Sequence, residues 1–148
     1  MTGKPMPPIL LLIAIVAMVV LGREWPVAHW ATLPWTLVGL APMCAGIGLA
    51  VWSASLFRKR GTTIRPGFES SALVTTGPFR VSRNPMYLGM ALLLIGVGVL
   101  MGSVTPLLVV PVFVVLIQAM FVRMEERMLE AAFGAEYTAY RRRVRAWV

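Results

Sequence analysis

Apolar positions in this chain come in long uninterrupted runs, not in the alternating pattern of half-buried strands. Positions 5–22, 25–57 and 84–122 hold no Lys, Arg, Asp or Glu. A membrane-crossing helix needs about 20 mainly apolar residues, so the first two runs each predict one crossing. The third run, 39 residues over 84–122, is too long for a single crossing. It is interrupted by "GSVTP", Gly102 to Pro106, which reads as a tight turn between two helices. The pattern predicts four spans, near 6–22, 34–57, 85–101 and 105–122, with a polar loop over 58–84 and a tail over 123–148. The expected fold class is an all-α integral membrane protein, a single membrane domain of four transmembrane helices plus a C-terminal amphipathic helix. Lys4 before the first run also fits a cleavable signal, but no A-x-A-like site follows, so this segment is read as a retained helix.

Composition sharpens the class. The chain has 148 residues, 58% hydrophobic and only 14% charged, more apolar surface than a soluble domain of this size can bury. Its net charge of +8 is concentrated at helix ends. Arg58, Lys59, Arg60, Arg65, Arg80 and Arg83 stand in the 58–83 segment against a single Glu69, and six arginines follow position 122. The connections 23–33 and 102–105 are nearly free of positive charge, so the positive-inside rule places both termini and the 58–84 loop in the cytoplasm. A bacterial inner membrane is the expected location. Attraction to anionic membrane lipids accounts for the basic balance, and no nucleic-acid-binding motif is present. One cysteine (Cys44) and one histidine (His29) permit neither a disulfide nor a metal cluster.

The polar residues gather at one membrane face. The loop "GTTIRPGFESSALVTTGPFR" is rich in Gly, Pro, Ser and Thr and is not expected to be helical. It re-enters through Arg83-Asn84-Pro85, where Asn84 fits an N-cap and Pro85 the first helical position, with Tyr87 just inside. Taken alone, this window describes a cap, a helix start and an interfacial aromatic residue. Beyond the fourth run, Leu129, Phe133, Tyr137, Tyr140, Val144 and Trp147 recur every three or four residues, the apolar face of a helix lying along the headgroups. Glu125 and Glu126 fit that reading less well. Two adjacent carboxylates at an anionic surface call for a cation, either Arg83, Arg123 or a cationic ligand. S-adenosylmethionine suits such a site: carboxylates hold an ammonium or ribose hydroxyls, arginine holds a carboxylate, and aromatic faces such as Phe79 or Tyr87 meet the ring or sulfonium.

"LVTTGPFRVSRNPMYLG" followed by "EERMLEAAFGAEYTAYRRRVRAW" resembles the isoprenylcysteine carboxyl methyltransferase family and the related phospholipid N-methyltransferases. That superfamily carries L-V-x-x-G-x-[YF], then R-[HN]-P-x-Y-x-G, a helical hairpin, E-E-x-x-L and F-G-x-x-Y-x-x-Y. The resemblance is ordered and spans the second half of the chain. It implies a membrane-embedded, S-adenosylmethionine-dependent methyltransferase acting on a hydrophobic or lipid-like acceptor. The implied cofactor contacts are Ser71, Ala72, Leu73 and Val74 through backbone groups, then Phe79, Asn84, Pro85, Met86, Tyr87 and Glu125. Arg83, Arg123 and Glu126 are the candidates for catalytic positioning roles.

Two departures bear on the acceptor. Asn84 stands where eukaryotic members have histidine, and Phe121 stands where prenylcysteine enzymes place a substrate-contacting arginine, which argues against a prenylcysteine carboxylate. Pro111 in the fourth run is expected to kink that helix and open a lateral gap for a hydrophobic acceptor. The alternatives are a small four-span transporter using Trp52 or Gln118 as its polar handle, a membrane scaffold packing through Gly39, Gly46, Gly48, Gly89, Gly96 and Gly98, and a family member that binds cofactor without turnover.

Overall fold

The first helix, α1 (Pro7–Glu24), begins on a proline, which suits an N-terminal turn because its missing N–H would be unpaired there anyway. The chain is described by a computed structural model covering residues 6–61 and 72–148. Ser71, Arg65 and Glu69 therefore lie outside the described residues. A 3₁₀ turn, Trp35–Gly39, leads into α2 (Leu40–Lys59), whose last turn carries Arg58 and Lys59 at the negative end of the helix dipole. Next come α3 (Pro85–Met101), a short α4 (Val104–Leu107) and α5 (Val109–Ile117). A π-helical turn, Gln118–Val122, then joins α5 to α6 (Arg123–Arg143). Among the described residues there is no β-strand, only the isolated bridges His29–Ser103 and Ser82–Arg145.

Three helical stretches, Pro7–Glu24, Trp35–Lys59 and Val104–Arg143, are long and apolar enough to cross a membrane, and α3 is a shorter apolar helix. The all-α integral membrane fold expected from the hydrophobic runs is the fold observed. The turn at "GSVTP" has a physical cause: Gly102 adopts φ 63°, the left-handed conformation that closes α3. The opposite connection is pinned to this turn. Trp30 N donates to Gly102 O (3.0 Å), Val104 N to Ala28 O (3.0 Å), and the Thr105 hydroxyl donates to Trp25 O (2.7 Å). The break between α4 and α5 falls at Leu108, where Pro111 has no N–H for the Leu107 carbonyl.

In lipid, helices associate through close packing because the hydrocarbon solvent supplies no hydrophobic drive. Four of the six glycines singled out above provide it between α2 and α3, which run antiparallel. A Cβ placed on Gly96 would lie 2.6 Å from Gly39 O and 2.7 Å from Met43 N, and one on Gly89 only 2.5 Å from Gly46 O. The reciprocal pairs, Gly39 with Gly96 and Gly46 with Gly89, set the backbone separation. Gly98 faces Leu107 and Met18 instead, and Gly48 faces open space.

Two apolar clusters follow. One joins Ala14 and Met18 of α1, Tyr87 and Leu94 of α3, Val110, Phe113 and Ile117 of α5, and Phe121 and Val122 of the π-turn. The other joins Val74 and Phe79 to Tyr137, Tyr140 and Val144, flanked by Leu56 and Phe57 of α2 and by Leu129 and Phe133. The tail is the amphipathic helix expected from the sequence, and the structure adds what its apolar face packs against. Its apolar face is covered by protein, because Gly134 (φ 49°, ψ −117°) breaks α6 and redirects the chain. A side chain there would meet no neighbour, so it is the backbone conformation that calls for glycine.

Candidate functional site

The segment Ser82-Arg83-Asn84 is held by the last residues of the chain. The Asn84 N–H donates to the Ser82 hydroxyl (3.1 Å), a local turn that shapes the entry to α3. That hydroxyl donates to Ala146 O (3.1 Å), the Asn84 side-chain amide donates to the same carbonyl (3.0 Å), and Arg83 N donates to Arg145 O (2.9 Å). Asn84 thus occupies the N-cap position, but its side chain makes no capping bond and holds the tail instead. Pro85 follows at the start of α3, fully buried.

Arg83 is the hub. Its guanidinium pairs with the Glu126 carboxylate and donates to the carbonyls of Arg141 (3.1 Å) and Val144 (2.8 Å). The two side chains of the ion pair are 10% and 15% exposed. Glu126 is therefore neutralised by Arg83. Arg123 is exposed and takes part in none of the ion pairs among the described residues. Of the three residues expected in catalytic positioning roles, two are paired with each other and the third stands apart.

Glu125 has a different partner. The Tyr87 hydroxyl donates to its Oε1 at 2.6 Å, linking groups 38 positions apart in sequence. Tyr87 is 5% exposed and its ring packs on Phe121, centroids 6.4 Å apart. The π-turn makes this meeting possible. Phe113, Ile117, Phe121 and Glu125 are spaced four apart, and each such step on a regular α-helix rotates the face by about 40°. The wider π-turn, Gln118–Val122, takes up that drift and returns Phe121 and Glu125 toward Tyr87. Glu125 lies beyond the charge-free stretch that ends at Val122. Burial pushes its carboxyl up to about 7, against the opposing pull of the Tyr87 hydrogen bond.

The loop residues join from the other side. Val74 and Phe79 are buried, and Ala72, Leu73 and Met86 partly so. Phe79 packs edge-on against Phe57, centroids 5.3 Å apart, and its carbonyl accepts from the Tyr140 hydroxyl at 2.6 Å. Burial pushes the Tyr137 and Tyr140 phenols up to about 12, so both stay protonated; Tyr140 donates to Phe79, whereas the buried Tyr137 hydroxyl has no partner among the described residues. Among the described residues, the backbone groups of Ala72, Leu73 and Val74 make no hydrogen bonds.

Several contacts had no counterpart in the sequence reading. Ser82 could have been suspected as a turn-forming serine two residues before Asn84. The Trp147 indole donates to Gln118 Oε1 at 2.8 Å, a pairing without any local signal. It also occupies the side chain considered as a transporter's polar handle, whereas Trp52 is exposed. A depression of about 300 Å³ lined by Ala119, Met120, Met124, Arg127 and Met128 includes none of the expected site residues.

The arrangement is that of an all-α membrane protein with a largely buried, hydrogen-bonded acid–tyrosine–arginine cluster at the basic end of its helices. Residues 35–136 match the model of the Phospholipid methyltransferase family, and the chain belongs to that family. It is similar to the cobalt-zinc-cadmium resistance protein CzcN of Cupriavidus metallidurans, 29% identical over 114 residues that make up 76% of this chain and 52% of the relative. Its fold is similar to that of the eukaryotic intramembrane Ras methyltransferase ICMT (isoprenylcysteine carboxyl methyltransferase), with a TM-score of 0.69 at 21% identity. That likeness covers 97% of this chain and 52% of the other. The chain therefore spans about half the length of both proteins. The resemblance carried by the two motif blocks and the family found by comparison agree.

Proposed function

We propose that this chain is a methyltransferase that uses S-adenosylmethionine to methylate a hydrophobic or amphiphilic acceptor approaching from the bilayer. The observation that carries the reading is the Tyr87–Glu125 hydrogen bond, which joins the R-N-P-x-Y segment to the paired acids at the basic end of the helices. Membership of the Phospholipid methyltransferase family supports it.

The residues present fit the cofactor. Glu125 is a half-buried carboxylate with only Oε1 engaged among the described residues, leaving the other oxygen for an ammonium or ribose hydroxyl. The backbone groups of Ala72, Leu73 and Val74, which have no hydrogen-bond partner among the described residues, are suited to the edge of an adenine ring. Once bound, S-adenosylmethionine supplies a methyl group on a positively charged sulfur, transferred in line to a nucleophile. The protein's share is then positioning and exclusion of water. Tyr87 fixes the Glu125 carboxylate, Phe121 walls the site against water, and the Arg83–Glu126 pair holds α3, α6 and the tail together.

The acceptor class follows from the surroundings. Leu108, Val112, Val115 and Leu116 form an exposed apolar stripe along α4–α5 that faces lipid, and an acceptor with an apolar body reaches the site along it. In this reading the basic end faces the cytoplasm of a bacterial inner membrane, where the water-soluble cofactor is available. The test is calorimetric titration of the detergent-purified protein with S-adenosylhomocysteine, beside Glu125→Ala. Saturable binding by the wild type, lost in the variant, supports the reading and justifies screening lipid acceptors with a labelled methyl donor. A folded wild type that does not bind overturns it.

A further inference from the structure

We infer that Gln118 and Trp147 are positioning residues for the proposed cofactor site, acting through the π-turn; the inference rests on the reading above. Three observations meet here. The first is the π-turn itself, which starts at Gln118 and brings Phe121 and Glu125 round to Tyr87. A π-turn sacrifices regular i→i−4 bonding, so it persists where surrounding contacts hold it.

The second is the Gln118–Trp147 hydrogen bond. It joins the first residue of the π-turn to a side chain 29 positions later, in a partly buried setting (2.8 Å). The Trp147 ring also packs against the cluster that contains Tyr87, Ile117 and Phe121. In an apolar span, a glutamine side chain without a partner is unfavourable. The indole N–H, a donor with no acceptor capacity of its own, provides one.

The third is where the rest of the same C-terminal segment goes. The carbonyls of Val144, Arg145 and Ala146 accept from Arg83, Ser82 and Asn84. Four consecutive residues, 144–147, thus grip both halves of the site: the entry to α3, three residues before Tyr87, and the π-turn, seven residues before Glu125. The segment sets the distance between two groups that must meet. Trp147 acts on the site through this grip and through its packing on the cluster that holds Tyr87 and Phe121.

The experiment compares the wild type with Trp147→Phe, which keeps an aromatic ring and loses the N–H, and Gln118→Met, which keeps the length and loses the acceptor. S-adenosylhomocysteine affinity is read by calorimetry and backbone opening by hydrogen exchange over residues 118–126. Each single variant is expected to weaken binding about tenfold, the double variant no further, since the two act as one unit. Exchange in 118–126 rises in each. Thr105→Val, which loosens the opposite end of the bundle, serves as the control. It lowers thermal stability while leaving ligand affinity within about twofold.

Wild-type affinity in either single variant, unchanged exchange over 118–126, or additive losses near a hundredfold in the double variant would each overturn the positioning role. So would an equal loss of affinity in Thr105→Val, which would assign the effect to general loosening. A wild type that fails to bind removes the cofactor reading itself, and this inference with it.

Discussion

Removing the Arg83 guanidinium tests the central contact of the site. Arg83→Met keeps an extended apolar stem while deleting the pair with Glu126 and the bonds to the carbonyls of Arg141 and Val144. With side chains only 10% and 15% exposed, the stranded Glu126 carboxylate has little access to water. Breaking a buried ion pair from one side costs about 3–5 kcal/mol, and the residual exposure places this case near the middle, about 4 kcal/mol. For a chain of this size each kcal/mol moves the thermal midpoint by about 2–4 °C. The expected fall is therefore roughly 10 °C, measured by intrinsic tryptophan fluorescence in one fixed detergent.

Arg83→Lys keeps the charge but not the fork that reaches three acceptors at once, so it falls between wild type and Arg83→Met. The double variant Arg83→Met/Glu126→Met removes the stranded charge and recovers part of the loss, because replacing both ions is far milder than removing one. It does not recover the two carbonyl bonds to the tail. A midpoint for Arg83→Met within about 2 °C of wild type would refute the assignment of Arg83 as the hub. A double variant as unstable as the sum of the singles would show that the two residues do not act as a pair.

Gly46→Ala forces a methyl group against the Gly89 carbonyl and should destabilise by about 2 kcal/mol, whereas Gly48→Ala, facing open space, should be neutral or slightly stabilising in the same melts. Gly134→Ala meets no steric neighbour but must hold φ 49°, so a loss of about 1–3 kcal/mol is expected, with faster proteolysis of the tail. Binding of S-adenosylhomocysteine should depend on pH through Glu125, whose carboxyl is raised to about 7 by burial. If the charged form is the binding form, as the proposed site requires, affinity is full well above pH 7, half lost near it, and falls below it by up to about tenfold per unit. Glu125→Gln should remove that slope, and an unchanged slope would place the titrating group elsewhere. Tyr140→Phe, losing the bond to the Phe79 carbonyl, should cost about 1 kcal/mol without changing the pH dependence of binding.

What the sequence determined by itself is what local chemistry can encode. Charge-free runs name the membrane class, since no polar solvent exists in hydrocarbon to satisfy anything but helix. "GSVTP" and Asn84-Pro85 mark a turn and a helix start because glycine and proline act through their own backbone angles. The ordered motif blocks pointed to the family that comparison then showed. The pairing of those blocks was not legible. Which carboxylate meets Tyr87 and which meets Arg83 depends on a π-turn that rotates one helix, and no residue type announces such a turn. The tail's periodicity identified an apolar face but not its cover, because a lipid surface and a protein cluster present the same apolar partner to it. Gly134 and the helical turns after it carry that face inward, and only the folded chain brings Trp147 to Gln118.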